Sequence, residues 1–173
     1  MKCSVFIASS VDGYIADPEG GVGWLESAGD PTVGLGSDSD MGFNTYIQSV
    51  DCMVMGRKSM ETISAMNLSR EQWPYGNIPI VVLSNTVKVC PENLRGKVEM
   101  YAGDLSKLIE NLENRGLKHA YIDGGSTITA FLNSKLIDEM TITKAPVLLG
   151  EGVLLFGKLE RPIKLHASNA ISF

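Results

Sequence analysis

A regular alternation of short apolar runs with amphipathic helical stretches runs along the 173 residues and restricts the folds that the chain can adopt. The runs at residues 52–55 and 80–83 are apolar without interruption, which is typical of strands buried on both faces. Strands that alternate with helices form a mostly parallel sheet with helices packed on both of its faces. No repeat or linker divides the chain, so we expect a single α/β domain over residues 1–173.

Helical periodicity is clearest over residues 104–115, where apolar side chains recur every three or four positions. Asp104 suits the N-cap position of this helix, and Gly116 suits the position after its last turn. A second apolar helical face comes shortly before the run at 52–55. Its members are Phe43, Tyr46, Ile47 and Val50.

The last two β-like segments, at residues 139–149 and 163–173, have no helical pattern between them. Antiparallel strands need no helical crossover, so we expect these two segments to form an antiparallel edge of the central sheet. Pro146 favours an edge position or a bulge for the first of the two.

Composition and charge exclude several classes of protein. Fifteen Lys and Arg against twenty Asp and Glu give a formal net charge of -5, so no basic surplus is available for binding nucleic acid. The three cysteines, Cys3, Cys52 and Cys90, form no Cys-x-x-Cys pair, so we expect neither a disulfide framework nor a metal site. We recognise no signal peptide and no membrane-spanning run, and we expect a cytoplasmic protein.

Polar or glycine-rich residues follow four of the predicted strands, and two of these strand ends lead directly into helices. Those two ends are residues 56–59 and 124–127, and a helix N-terminus preceded by glycine suits a phosphate group. Arg57 and Lys58 add positive charge at the first. Each end alone is equally typical of an ordinary turn or cap. Because ligands of such sheets gather beyond the carboxyl ends of the strands, we expect the ends to form one site.

Three segments carry a resemblance to a known family. They are FIASSVDGYIA at residues 6–16, VMGRKSME at 54–61 and YIDGGS at 121–126, in this order. The sequence resembles the dihydrofolate reductase-like family, and within it the riboflavin-biosynthesis reductase branch, which is similar to the RibD C-terminal domain. The resemblance covers nearly the whole chain, and it implies that family's three-layer fold.

The resemblance implies NADPH as cofactor, bound in an extended form across the sheet, with the loop from Ser9 to Trp24 as a lid over nicotinamide and substrate. The implied cofactor-binding residues are Ala8, Gly56, Arg57, Lys58, Ser59, Ser84, Asn85, Gly124, Gly125, Ser126 and Thr127. Physical chemistry agrees with these residue types, because backbone approaches phosphate closely where Cβ is absent and because Arg binds phosphate through two N–H groups.

Two carboxyl groups are candidates for catalysis. Asp40 matches the carboxylate that the family carries in its first helix, but Ser37-x-x-Asp40 equally fits a capping box at a helix end. Asp12 matches an Asp-Gly pair on the substrate side of the branch, although Asp-Gly also makes an ordinary turn. The branch has Lys or Arg after Asp-Gly, where this chain has Tyr14, and this departure weakens the inference of a phosphorylated substrate.

The resemblance implies an NADPH-dependent oxidoreductase that transfers hydride to a small heterocyclic or sugar-like substrate, as 5-amino-6-(5-phosphoribosylamino)uracil reductase does. Two alternatives stay open, namely dihydrofolate reductase activity and a nucleotide-binding protein of the same fold without catalysis. The family often pairs through its sheet edge and C-terminal region, which implies a homodimer with residues 147–156 as the candidate surface. We expect no metal, nucleic-acid or membrane partner.

Overall fold

The computed structural model describes residues 1–28, 40–166 and 169–170. Within these ranges the strands, in chain order, are β1 (Lys2–Ser10), β2 (Tyr14–Ala16), β3 (Cys52–Gly56), β4 (Ile80–Leu83), β5 (Val98–Tyr101), β6 (His119–Asp123), β7 (Glu139–Ala145) and β8 (Val153–Leu154). The helices are α1 (Trp24–Ser27), α2 (Phe43–Gln48), α3 (Arg57–Met66), α4 (Leu105–Asn114) and α5 (Gly125–Asn133), and Glu92–Leu94 forms a short 3-10 helix.

Six of the strands form one parallel sheet in the order β5–β4–β3–β6–β1–β7. Successive side chains of a strand point to opposite faces, so β3 contributes to two cores. Cys52 and Val54 pack on the face that α4 and α5 cover, whereas Met53 and Met55 pack on the face that α2 and α3 cover. This arrangement confirms the predicted α/β fold with helices on both faces of a mostly parallel sheet.

Helix α4 begins and ends where the sequence predicts. The Asp104 carboxylate accepts a hydrogen bond from the backbone N–H of Lys107 at 3.1 Å, which satisfies one of the N–H groups left free at a helix start. Gly116 has a φ of 85°, the left-handed conformation that commonly ends a helix. Leu108 and Leu112 are buried against the sheet, as the periodicity predicts.

The antiparallel pairing lies elsewhere than the sequence predicts. β7 is the edge strand of the main sheet and runs parallel to β1, because α5 precedes it and serves as the crossover. The antiparallel pair is instead the small separate sheet of β2 and β8. The expected strand at 163–173 is absent from the part of it that the structure describes, residues 163–166 and 169–170, and the rest of that prediction lies outside the described residues.

Candidate functional site

The ends of β3 and β6 lie side by side at one edge of the sheet. Met55 of β3 pairs with Asp123 of β6, and each strand passes into a helix within two residues of that pair. The N-termini of α3 and α5 are therefore neighbours at the carboxyl edge of the sheet. The structure thus brings together residues 56–59 and 124–127, which we call the cradle.

Two glycines allow the starts of α3 and α5 to approach each other closely. A Cβ atom on Gly56 would lie 2.9 Å from Thr127 Oγ1, and a Cβ atom on Gly124 would lie 2.6 Å from Ser59 Oγ. Gly124 also has a φ of 87°, a conformation that other residues rarely adopt. Thr127 is buried at this contact, whereas Ser126 is exposed. Any side chain on either glycine would fill the space between the two helix starts.

The cradle has the charge that a phosphate group requires. The aligned peptide dipoles of α3 and α5 give both N-termini a partial positive charge, and Arg57 and Lys58 add two full charges. Arg57 Nη1 donates to Glu61 Oε1 at 2.7 Å, and the other guanidinium nitrogens have no hydrogen-bond partner among the described residues. The residues present therefore fit the phosphate groups of a dinucleotide.

The other predicted cofactor residues lie along the same edge of the sheet. Ser84 and Asn85 follow β4, which is the neighbour of β3. The Ser84 hydroxyl accepts from the N–H of Val87 at 2.8 Å and closes a local turn. Ala8 lies near the end of β1, the neighbour of β6, and pairs with Thr143 of β7. The predicted set therefore spans four adjacent strand ends.

The predicted lid between β1 and α1 contains β2 and contacts two other elements. β2 pairs with β8, and Leu155 donates its backbone N–H to the carbonyl of Gly13 at 2.9 Å. On the other side, a Cβ atom on Gly20 would lie 3.7 Å from Thr62 Oγ1 of α3. The loop therefore runs from the end of β1 to the flank of the helix that begins in the cradle.

Asp12 lies in the turn that follows β1, and both of its carboxylate oxygens accept hydrogen bonds. The Ser10 hydroxyl donates to Oδ1 at 2.5 Å, Leu149 N–H to Oδ1 at 3.2 Å and Gly150 N–H to Oδ2 at 2.8 Å. These bonds, led by the one from Ser10, lower the pKa of Asp12. The contacts favour a positioning role for this carboxylate, and the predicted catalytic role stays a prediction.

Asp40 caps the start of α2. Its carboxylate accepts from the N–H of Asn44 at 2.7 Å and of Gly42 at 3.0 Å, and these bonds, that of Asn44 first, lower its pKa. The arrangement matches the capping interpretation, although Ser37 lies outside the described residues. A lowered pKa is the opposite of what a proton donor needs near neutral pH, and the catalytic role of Asp40 stays a prediction.

Asp123 is a carboxyl group of the site that the sequence analysis did not select. It ends β6 directly before Gly124, and burial raises its pKa, although hydrogen bonds from the Ser59 and Tyr121 hydroxyls act in the opposite direction. The Tyr121 hydroxyl donates to the carbonyl of Phe6 at 2.9 Å and lies 3.4 Å from Asp123 Oδ1. The available signal was an acidic residue at the last position of an otherwise apolar strand, next to Gly-Gly.

Two other kinds of site are not found among the residues that the structure describes. No group of three or more His, Cys, Asp and Glu side chains is placed to hold a metal ion, and no helix is long and apolar enough to cross a membrane. Burial raises the pKa of the Cys3 thiol to about 12 and that of Cys52 to about 11. These two thiols are therefore unreactive at neutral pH.

Comparison with known proteins agrees with this geometry. The chain is 25% identical to the YwjB protein of Bacillus subtilis (strain 168) over 174 residues, which cover 99% of this chain and 92% of YwjB. It is 41% identical to a protein of Shewanella sp. PV-4 that is provisionally named a riboflavin biosynthesis protein. That crystal structure superposes with a TM-score of 0.86 over 98% of this chain and 90% of the other.

A more distant solved structure shows the same fold. It is a diaminohydroxyphosphoribosylaminopyrimidine deaminase/5-amino-6-(5-phosphoribosylamino)uracil reductase of Thermotoga maritima, with a TM-score of 0.65 and 18% identity. The match covers 97% of this chain but 52% of that protein. The model of the RibD C-terminal domain matches residues 2–172, nearly the whole length. The chain therefore belongs to the RibD C-terminal domain family.

Proposed function

We propose that this protein is a reductase that binds NADPH in the cradle and transfers hydride to a small heterocyclic or sugar-like substrate. The observation that carries the proposal is the junction of two helix N-termini, which Gly56 and Gly124 allow to approach closely and which Arg57 and Lys58 flank. Helix N-termini and Arg side chains together are a favourable environment for the phosphates of a dinucleotide.

Each residue of the cradle has a distinct part in this proposal. The backbone N–H groups at the start of α3 and α5 would hold the pyrophosphate, with Ser59, Ser126 and Thr127 beside them. Arg57 would bind the 2′-phosphate through the nitrogens that Glu61 does not engage. Ser84 and Asn85 would border the adenosine, and Ala8 the nicotinamide.

The bound dinucleotide would supply the hydride, and the protein has to supply the proton. Asp123 is the carboxyl group best suited to hold that proton, because burial raises its pKa and it adjoins the cradle. The Tyr121 hydroxyl donates its one proton to the carbonyl of Phe6 and lies 3.4 Å from Asp123 Oδ1, where it would accept a hydrogen bond from the protonated carboxyl. The loop that carries β2 would exclude water from the reacting atoms.

The substrate class follows from the family and from one departure. The related Thermotoga maritima protein is named for reduction of 5-amino-6-(5-phosphoribosylamino)uracil, which combines a pyrimidine with a phosphorylated sugar. In this chain Tyr14 occupies the position after Asp-Gly, and its hydroxyl donates to the carbonyl of Gly150 at 3.3 Å. We therefore propose a related heterocycle or sugar, without a phosphate contact at residue 14.

The test is consumption of NADPH in the presence of candidate substrates. Pterin, pyrimidine-ribosyl and flavin-like compounds are each mixed with protein and NADPH, and loss of the reduced nicotinamide absorbance is followed. The proposal expects substrate-dependent loss with at least one compound and none without protein. Tight NADPH binding without turnover on any compound would favour a nucleotide-binding protein, and turnover of dihydrofolate alone would identify a dihydrofolate reductase.

We propose in addition that the protein acts in the cytoplasm as a homodimer. The unreactive buried thiols Cys3 and Cys52 suit a reducing compartment. Leu148 and Leu154 are 71% and 50% exposed, and both belong to the surface at residues 147–156 that we propose as the interface. Sedimentation of the wild-type protein and of Leu148→Asp tests the dimer, which the substitution should weaken.

A further inference from the structure

We propose that Asp12 is a positioning residue that fastens the sheet of β2 and β8 over the start of α5 and thereby fixes the shape of the cradle. This inference rests on the proposed function for its cofactor, NADPH. It assigns to Asp12 a role that needs no contact with substrate.

The carboxylate joins two segments that are far apart in sequence. Asp12 lies before β2, whereas Leu149 and Gly150, whose N–H groups it accepts, precede β8. The Ser10 hydroxyl donates to the same group at 2.5 Å and also accepts the N–H of Tyr14 at 2.9 Å. The Asp12 carboxylate therefore joins the turn after β1 to the loop before β8 by hydrogen bonds.

Other hydrogen bonds make the two segments a single unit. Val11 N–H donates to the carbonyl of Val147 at 2.9 Å, and Leu155 N–H donates to the carbonyl of Gly13 at 2.9 Å. At Gly152 a Cβ atom would collide with the carbonyl of Ala16, so the chain segments are in direct contact there. Asp12 contributes the carboxylate to this set of contacts, and the Lys144 ammonium donates to the carbonyl of Ser10 in the same turn at 3.3 Å.

The unit formed by β2 and β8 rests directly on the cradle. A Cβ atom on Gly125, the first residue of α5, would collide with the backbone carbonyl of Leu154 and would lie 3.1 Å from that of Leu155. The backbone of β8 therefore bounds the N-terminus of α5 on one side, while Ser59 bounds Gly124 on another. Movement of β8 would change the space that a phosphate group can occupy.

The charge of Asp12 matters because its two oxygens together accept three hydrogen bonds. An amide in its place offers one acceptor oxygen, and its NH2 group would face N–H or O–H donors where the second carboxylate oxygen now accepts. Asp12→Asn therefore keeps the volume of the side chain and loses at least one of the two backbone hydrogen bonds from Leu149 and Gly150. Asp51→Asn is the matched control, since Asp51 also accepts backbone N–H groups, from Lys118 and His119, but lies directly before β3, at the opposite edge of the sheet from the cradle.

Two readouts test the role of Asp12. The first is the exchange rate of backbone amides in the protein without ligand, and we expect Asp12→Asn to exchange faster at Leu149, Gly150 and Leu155, with Asp51→Asn unchanged there. The second is the dissociation constant for NADPH, which we expect to rise by about tenfold in Asp12→Asn and to stay at the wild-type value in Asp51→Asn. Wild-type exchange or wild-type affinity in Asp12→Asn would overturn the proposal.

Gly125→Ala tests the same contact from the other side. Its Cβ displaces the Leu154 carbonyl, so the double variant with Asp12→Asn should bind NADPH no more weakly than Gly125→Ala alone. Additive losses would show that Asp12 acts by another route and would overturn the proposal. If the wild-type protein binds no NADPH, the proposed function fails, while exchange at Leu149, Gly150 and the first turn of α5 still decides the fastening.

Discussion

At the scale of single residues, three carboxyl groups near the site differ in what surrounds them. Asp12 and Asp40 are in contact with solvent and accept hydrogen bonds, which lower their pKa values. Asp123 is surrounded by Tyr121, Ser59 and the end of the sheet, and burial raises its pKa. Proton transfer near neutral pH is most efficient from a group whose pKa approaches the working pH. The environment therefore favours Asp123 over Asp12 and Asp40 as the proposed proton donor.

We predict that Asp123→Asn lowers kcat by between about 10²- and 10⁴-fold while the dissociation constant for NADPH changes little. The asparagine keeps the size of the side chain and cannot release a proton. Steady-state kinetics and a binding titration measure the two quantities. Asp40→Asn is the comparison, and we expect it to keep most of its turnover. Loss of turnover in Asp40→Asn with retention in Asp123→Asn would transfer the role to Asp40.

Asp123→Asn should also change how the free energy of unfolding depends on pH. The folded-state pKa of Asp123 is raised above its unfolded value of about 3.9. Its favourable contribution is therefore complete below about pH 4 and is lost as pH rises through the folded pKa. Relative to the wild type, Asp123→Asn should gain in free energy of unfolding as pH rises from about 4 toward 7. A difference that is independent of pH would contradict the raised pKa.

Arg57 is predicted to select the 2′-phosphate. We expect Arg57→Ala to weaken NADPH by about tenfold or more and to affect NADH much less, because NADH lacks that group. The control is Arg115→Ala, since Arg115 is similarly half-exposed and pairs with Glu99 at 3.0 Å on another part of the surface. Titration of each variant with NADPH and with NADH measures the ratio of the two dissociation constants. Equal losses of affinity for the two dinucleotides in Arg57→Ala would exclude this role.

At the scale of elements, the cradle depends on two helices that begin in contact. Gly124→Ala should abolish NADPH binding, because its Cβ would lie 2.6 Å from Ser59 Oγ between those helices. Gly96→Ala is a matched control, since Gly96 has a φ of 78° but nothing within 4 Å of its Cβ position. Both variants place a side chain at a positive φ, and only Gly124→Ala adds a collision to that strain. Binding that survives in Gly124→Ala, or is lost in both, would contradict the cradle.

Local patterns predicted most of the elements, and contacts distant in sequence account for the rest. Helix α4 and strands β3 and β4 carry their own periodicity or apolar runs, so their positions follow from the sequence. β8 is two residues long and is defined only by its pairing with β2, which no local pattern indicates. The direction of β7 depends likewise on the crossover through α5. For the same reason the Gly124-Gly125 pair predicted the cradle, whereas no local pattern predicted that Gly125 lies against the carbonyl of Leu154.

At the scale of the whole molecule, an acidic protein is proposed to bind an anionic dinucleotide. The formal net charge is -5, so the overall field does not attract the ligand. Attraction has to come from Arg57, Lys58 and the two helix N-termini, which act over a few ångströms. Binding should therefore depend on salt through these local charges, and adding NADPH should stabilise the fold around them.

Thermal unfolding tests this proposal on the intact protein without any substrate. NADPH at about 100 times its Kd should add about 2.7 kcal/mol to the free energy of unfolding. For a domain of this size that corresponds to a rise in Tm of about 5–10 °C. Arg57→Ala should show a smaller rise at the same concentration, because it binds more weakly, and Gly124→Ala should show none. An unchanged wild-type Tm at saturating NADPH, or an equal rise of Tm in Gly124→Ala, would contradict NADPH binding in the cradle and therefore the proposed reductase.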